Sequence, residues 1–204
     1  MDVLGGSVVY RYSPRLHRIY LNITNRCSNS CRFCVRNSFP DLSGYRLWLD
    51  REPTDDEIWT AFQDEVKVSD AEAVWCGFGE PTTRLDTVLG LTRRIKQSYP
   101  DLKVRLDTDG LANLRNPGRK VAEELSDAGI DYVSISLNAE TREKYERLCR
   151  PSLPGSYQGV FDFARACRKH LSKVRLTVVD LEGIDVNKCR EIAEDLGCDF
   201  EVRG

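Results

Sequence analysis

Residues 131–149 read DYVSISLNAETREKYERLC, a strand followed directly by a helix. Val133, Ile135 and Leu137 alternate with Ser134, Ser136 and Asn138, the period of two of an extended chain. From Glu140 to Leu148 the pattern turns helical, and it stops ahead of Pro151. Working outward, the same strand-then-helix unit recurs. Strands are predicted over Arg18–Thr24, Ala73–Gly77, Lys103–Asp107, Asp131–Leu137, Val174–Val179 and Cys198–Val202. Helices are predicted over Thr54–Val68, Leu85–Tyr99, Arg119–Asp127, Glu140–Leu148, Tyr157–Leu171 and Asp185–Leu196, the first opened by the capping box Thr54-Asp55-Asp56-Glu57. Ser7–Tyr12 is expected to pair antiparallel with the first of these strands through a turn at Ser13–Leu16. Such alternation specifies an α/β fold, a parallel sheet with helices packed outside. Six units are too few for a closed eight-stranded barrel and suit an open partial (β/α)6 barrel.

The strands are not uniformly apolar, as strands covered on both faces are. Asn22, Thr24, Arg105, Asp107, Ser134, Ser136, Asn138, Arg175, Thr177, Glu201 and Arg203 share the polar phase. With the apolar phase against helices, this set is expected to line a polar ligand cavity. An internal ion-pair network among Arg105, Asp107, Arg175 and Glu201 is the competing account of the charges.

Composition is that of a globular protein: 41% hydrophobic, 30% charged and a net charge of −2. No apolar run is long enough for a membrane span. Met1–Tyr12 lacks the basic-then-apolar pattern of a signal peptide, so a cytoplasmic location is expected. Nucleic-acid binding is not indicated by the charge balance. The outlier is cysteine, 8 in 204 residues, with Cys27, Cys31 and Cys34 on one short stretch after a strand. In a reducing compartment such spacing reads as metal binding. Three thiolates can hold three corners of a cubane cluster and leave one iron without a protein ligand. Structural zinc wants four ligands, and His17 and His170 are distant. Inert buried thiols are the third account. Cys76, Cys149, Cys167, Cys189 and Cys198 form no second clustered set, and Cys167 and Cys189 read as small buried hydrophobes on helices.

The chain resembles the radical SAM superfamily, whose signature is C-x3-C-Φ-x-C; Phe33 stands in the aromatic place. Gly77-Phe78-Gly79-Glu80-Pro81 resembles that family's G-G-E-P motif. Thr108-Asp109-Gly110 resembles T-N-G, with Asp109 where Asn is usual, and Ser134-Ile135-Ser136-Leu137-Asn138 resembles S-[IV]-S-L-D. The likeness runs from Tyr20 to Arg203, and residues 1–204 are read as one radical SAM core domain. Within the superfamily the chain is most similar to the short, archaeal-type TatD-associated radical SAM proteins, through residues 20–37 and 136–151.

The resemblance implies two cofactors, a 4Fe–4S cluster and S-adenosylmethionine (SAM), and an external electron donor of the flavodoxin or ferredoxin type. Cys27, Cys31 and Cys34 would ligate the cluster. Reductive cleavage of SAM would give methionine and a 5′-deoxyadenosyl radical that abstracts hydrogen from a substrate. Gly77, Phe78, Gly79, Glu80 and Pro81 would offer backbone carbonyls to the SAM ammonium, the glycines because no Cβ intrudes; an ordinary strand-to-helix turn is the plainer account. Thr108, Ser134, Ser136 and Asn138 are candidates for the ribose and carboxylate, and Arg150 for the carboxylate. The Phe33 backbone and the loop from Leu181 to Ile184 would hold adenine. Arg203, Asp109 and Arg105 are the candidate substrate contacts. Arg105, Arg175 and Arg203 share two acidic residues of their phase, Asp107 and Glu201, so at least one guanidinium is expected to be left for a carboxylate or phosphate. Asn37–Pro53, with Phe39, Tyr45 and Trp48, is expected to close over the cavity as a lid. A small polar substrate is favoured over two alternatives: an activase acting on a partner protein, and a non-catalytic metal-binding or electron-transfer module.

Overall fold

The computed structural model describes residues 5–12, 17–38 and 41–203. They gather into two compact units: Met1–Cys27, Cys34–Leu106 and Ala128–Ile130 in the first, Ser28–Phe33, Asp107–Asp127 and Asp131–Gly204 in the second. The turn expected at Ser13–Leu16 lies outside the described residues, as does Phe39.

The first unit runs β1 (Val9–Tyr10), β2 (Arg18–Leu21), α1 (Val35–Ser38), β3 (Asp41–Leu42), β4 (Tyr45–Arg46), α2 (Asp55–Glu65), β5 (Glu72–Trp75), a 3-10 turn at Pro81–Arg84, α3 (Leu85–Ser98) and β6 (Lys103–Thr108), whose last two residues fall in the second unit. β1 pairs antiparallel with β2, Val9 opposite Leu21. β2, β5 and β6 are parallel, with Arg18 opposite Glu72 and Glu72 opposite Lys103. Ile19, Ala73, Val74, Trp75, Val104 and Leu106 are fully buried. The capping box forms as read: Thr54 Oγ1 accepts from the Glu57 amide at 3.3 Å, and Glu57 accepts from the Thr54 amide at 2.8 Å. Behind it, α2 buries Ile58, Trp59 and Phe62.

The second unit holds α4 (Ala112–Arg115), α5 (Val121–Ala128), β7 (Tyr132–Ser136), α6 (Arg142–Cys149), α7 (Ser156–His170), β8 (Lys173–Val179), α8 (Val186–Asp195) and β9 (Asp199–Arg203). Strands β7, β8 and β9 are parallel neighbours, with Val133 opposite Val174 and Val178 opposite Val202. Helix α7 packs on β7 and β8, and α8 on β8 and β9. The core is built from Val133, Ile135, Val174, Leu176 and Val178 against Val160, Phe163, Ala164 and Cys167. The α/β class, the parallel strands and the antiparallel N-terminal pairing are as the alternation predicts.

Element ends differ where side chains compete with the ladder. β2 stops at Leu21 rather than Thr24. Helix α6 starts two residues late because Thr141 caps it, accepting from the Lys144 amide at 3.3 Å. Part of the segment expected to form a lid packs on the first unit. Residues 41–46 form a small hairpin, and Leu47 and Leu49 are buried. Asn22 Nδ2 donates to the Leu47 carbonyl at 2.7 Å, and Asn25 exchanges hydrogen bonds with Leu49 at 2.6 and 3.1 Å. These bonds seat residues 47 and 49 against the chain that leaves β2. No helix among the described residues is long and apolar enough to cross a membrane.

Arg11 and Asp70 tie the first strand to the approach to β5, with guanidinium–carboxylate distances of 2.6 and 2.8 Å. Burial opposes ionisation of Asp70, but hydrogen bonds from Arg11 and from the Lys67 amide outweigh it and hold the carboxyl below its ordinary range. Asp70→Asn is expected to cost about 2 kcal/mol at neutral pH. A depressed carboxyl contributes its stability above the unfolded pKa and loses it as pH falls through the folded one. The gap between wild type and variant in urea unfolding therefore closes in acid; a gap that is constant with pH would contradict the pairing.

Candidate cofactor-binding site

In the first unit, the chain leaving β2 toward Cys27 is held at its carbonyls. Arg84 donates to the Ile23 oxygen at 3.0 Å, Arg36 to the Asn25 oxygen at 3.1 Å, and the Glu80 amide to the Arg26 oxygen at 2.8 Å. Thr24 and Arg26 both donate to Glu52, each at 2.6 Å. Burial raises the Glu52 pKa less than these hydrogen bonds lower it, so it stays ionised below the usual carboxylate range.

The segment after β5 lies directly against this exit. Asn22, fully buried, accepts from the Phe78 amide at 3.2 Å. A Cβ on Gly77 would stand 2.1 Å from Asn22 Oδ1, and one on Gly79 only 2.3 Å from the Thr24 carbonyl oxygen. Gly77 thus admits the Asn22 side chain, and Gly79 the backbone of the exit from β2. Phe78 turns into an apolar cluster with Tyr10, Tyr20, Leu47 and Val74. Glu80 accepts from the Thr82 amide and hydroxyl at 3.0 and 2.7 Å, and Pro81 opens the turn that Glu80 caps. Cys27 and Cys34 belong to this unit and are half-buried.

In the second unit, residues 28–33 are strapped to the end of α6. The Ser30 amide donates to the Cys149 carbonyl and the Arg32 amide to the Leu148 carbonyl, both at 2.9 Å. The Ser152 amide donates back to the Ser28 carbonyl at 2.8 Å, and Asn29 bridges Pro151. Arg150 sits at φ +47°, which turns the chain from α6 onto the loop. Cys31 and Phe33 are half-buried. Asn138, at φ +62°, donates to Cys149 Sγ at 3.5 Å. The Thr108 hydroxyl accepts from the Gly110 amide at 3.2 Å. Ser134 is buried and Ser136 half-buried on β7. Leu181 and Ile184 are half-buried in a turn closed by the Ile184 amide on the Leu181 carbonyl at 3.1 Å.

Two of the three candidate substrate contacts are otherwise engaged. Asp109 receives both terminal nitrogens of Arg115, at 2.5 and 2.9 Å, and the Leu111 amide at 2.9 Å. Its change from the usual Asn serves an internal ion pair. Arg105 is buried and reaches Glu72 at 3.4 Å, and Glu72 also meets Arg18 at 2.8 Å. Glu72 opens β5, so Arg105 faces the strand beginnings and not the C-terminal ends where barrel enzymes place their chemistry. Arg175 pairs with Glu201, and Arg203 reaches Asp107 at 3.4 Å and Ser134 at 2.9 Å. The expected surplus guanidinium is not found: each of the three arginines has a carboxylate partner, because Glu72 stood outside the count. Of the network expected among Arg105, Asp107, Arg175 and Glu201, the Arg175–Glu201 pair forms, while Arg105 turns to Glu72 and Asp107 to Arg203.

The pattern that defines the radical SAM superfamily matches residues 21–196. A GTP 3′,8-cyclase of Lactiplantibacillus plantarum is 30% identical over 178 residues, 86% of this chain and 49% of the relative. A probable GTP 3′,8-cyclase of Thermococcus kodakarensis is 26% identical over 184 residues, 90% of this chain and 54% of the relative. The chain thus spans about half the length of these curated relatives. Among solved structures, methylornithine synthase superposes with a TM-score of 0.63 at 14% identity, over 91% of this chain and 52% of that one. SuiB of Streptococcus suis bound to S-adenosylmethionine gives 0.60 at 18%, over 90% and 37%. The chain belongs to the radical SAM superfamily, enzymes that use a 4Fe–4S cluster and SAM. The relatives named here are cyclases; none carries the TatD-associated description.

The thiols present suit a cluster in kind: three half-buried sulfurs on one stretch of chain, none in a disulfide. No group of three or more His, Cys, Asp or Glu side chains among the described residues is already gathered as a metal site. The other thiols differ in character. Cys149, Cys167 and Cys189 are fully buried. Burial pushes Cys189 up to about 12, Cys198 up to about 11, and Cys167 higher still. Iodoacetamide at pH 8 on the metal-free protein should therefore label the half-buried Cys27, Cys31, Cys34 and Cys76 first, with Cys167 and Cys189 modified only on unfolding. Peptide mass spectrometry reads the order; early labelling of Cys167 would contradict it.

Proposed function

We propose that this chain is the core domain of a radical SAM enzyme that removes a hydrogen atom from a small, polar, anionic substrate. The observation that carries the reading is the preformed loop: the carbonyls leading to Cys27 are capped in sequence, and residues 28–32 are strapped to residues 148–152. A loop held this firmly presents its side chains without help from a disulfide. Cys27, Cys31 and Cys34 would hold a 4Fe–4S cluster, and Arg150, Asn138, Ser134, Ser136 and Thr108 would contact SAM. Phe33, Leu181 and Ile184 would border its adenine, and the peptide groups from Gly77 to Pro81 its amine. When bound, the pair supplies a 5′-deoxyadenosyl radical, at the expense of one electron from a flavodoxin- or ferredoxin-type donor. The protein's share is to position the reactants and to exclude water.

Relatives named for GTP support a polar, anionic substrate. Arg203 is the remaining candidate contact, at the C-terminal end of β9 with 37% of its side chain exposed. The cysteine-rich loop suits a reducing, cytoplasmic setting.

Anaerobic reconstitution with iron and sulfide, then dithionite and SAM, should release 5′-deoxyadenosine measurable by mass spectrometry. Replacing Cys27, Cys31 and Cys34 together by Ala should abolish both iron uptake and the product, yet leave the circular dichroism of the folded chain. A colourless zinc protein, or product from the triple variant, would overturn the proposal.

A further inference from the structure

Arg115 closes the short helix α4, and its side chain is only 9% exposed. Both of its terminal nitrogens are held by Asp109, itself 9% exposed. One of them, Nη1, also donates to Ser28 Oγ at 3.0 Å. Ser28 follows Cys27 and opens the stretch that leads to Cys31.

A buried ion pair stabilises a fold weakly, since desolvation offsets most of the attraction. What a two-pronged guanidinium–carboxylate contact does supply is direction: the planar fork cannot swing while both prongs are engaged. Here the fork is aimed at the cysteine loop. Backbone hydrogen bonds from residues 148–152 hold the same loop from another element. The backbone strap fixes Ser28, Ser30 and Arg32 at their peptide groups, and Arg115 adds a grip on a side chain.

We propose that Arg115, oriented by Asp109, is a positioning residue for the loop between Cys27 and Cys31 and acts on it through the Ser28 hydroxyl. The inference rests on the cluster reading above. Groups that orient ligand loops in this way typically change metal retention by about tenfold or more when removed.

The test compares wild type, Ser28→Ala, Arg115→Gln, Arg115→Lys and the Ser28→Ala/Arg115→Gln double variant. Each is reconstituted anaerobically, and the rate of iron loss to a chelator is followed. The melting temperature of each metal-free chain is measured alongside. Ser28→Ala should speed iron loss roughly tenfold with an unchanged metal-free melting temperature, which a merely structural role would not produce. Arg115→Gln should be at least as fast, Arg115→Lys intermediate, and the double variant no faster than Arg115→Gln. Iron loss from Ser28→Ala at the wild-type rate overturns the inference, as do effects that multiply in the double variant. If Arg115→Gln does not fold, Ser28→Ala alone decides. Wild-type protein that takes up no iron sinks the cluster reading and this inference together; loaded wild type beside an indifferent Ser28→Ala sinks this inference alone.

Discussion

A Cβ added at Gly79 would lie 2.3 Å from the Thr24 carbonyl oxygen and 2.7 Å from that of Arg26. No side chain tolerates such distances, so the segment after β5 and the exit from β2 touch backbone to backbone. The contact orders much of what surrounds it. It lets the Glu80 amide reach the Arg26 carbonyl, and it sends the Glu80 carboxylate back to cap its own turn. With Asn22 bridging the Phe78 amide and the Leu47 carbonyl, three stretches of chain meet on one buried amide side chain. The approach to Cys27 is held because the Ile23, Asn25 and Arg26 carbonyls end on donors, and buried carbonyls without partners are costly.

The second unit solves the same problem with different parts. Its share of the cysteine loop is held by a strap after α6, which needs the left-handed turn at Arg150 to change direction. The Asp109–Arg115 pair adds a charged fork aimed at Ser28. The loop's thiols are half-buried, whereas Cys167 and Cys189 are buried and burial pushes their thiols up.

Much of this was legible in the residues. The alternation of Val133, Ile135 and Leu137 with polar neighbours gave the strands, and Thr54 with Glu57 gave a cap that the structure forms. The cysteine spacing with Gly77–Pro81, Thr108–Gly110 and Ser134–Asn138 pointed to the superfamily. What stayed illegible was long-range. Period-two phase says that Arg105 and Asp107 share a face; it does not say that Arg105 will turn to Glu72 at the strand beginnings. Asp109 looks like a substrate contact because it stands where the motif usually has Asn, and its partner Arg115 carries no motif of its own. Arg84 and Arg36, which cap the Ile23 and Asn25 carbonyls, are ordinary helix-end arginines until the fold brings them there. Asn37–Pro53 reads as a lid from its Pro, Gly and aromatic content; that Asn22 and Asn25 bond the backbone of its residues 47 and 49 carries no sequence signal.

A cluster held by three thiolates leaves one iron open to SAM. Mössbauer spectroscopy of protein reconstituted anaerobically with iron-57 tests it most directly. The expected result is a 4Fe–4S spectrum in which SAM shifts one iron of the four and leaves three unchanged. Four irons that ignore SAM, or no cluster spectrum at all, would contradict it.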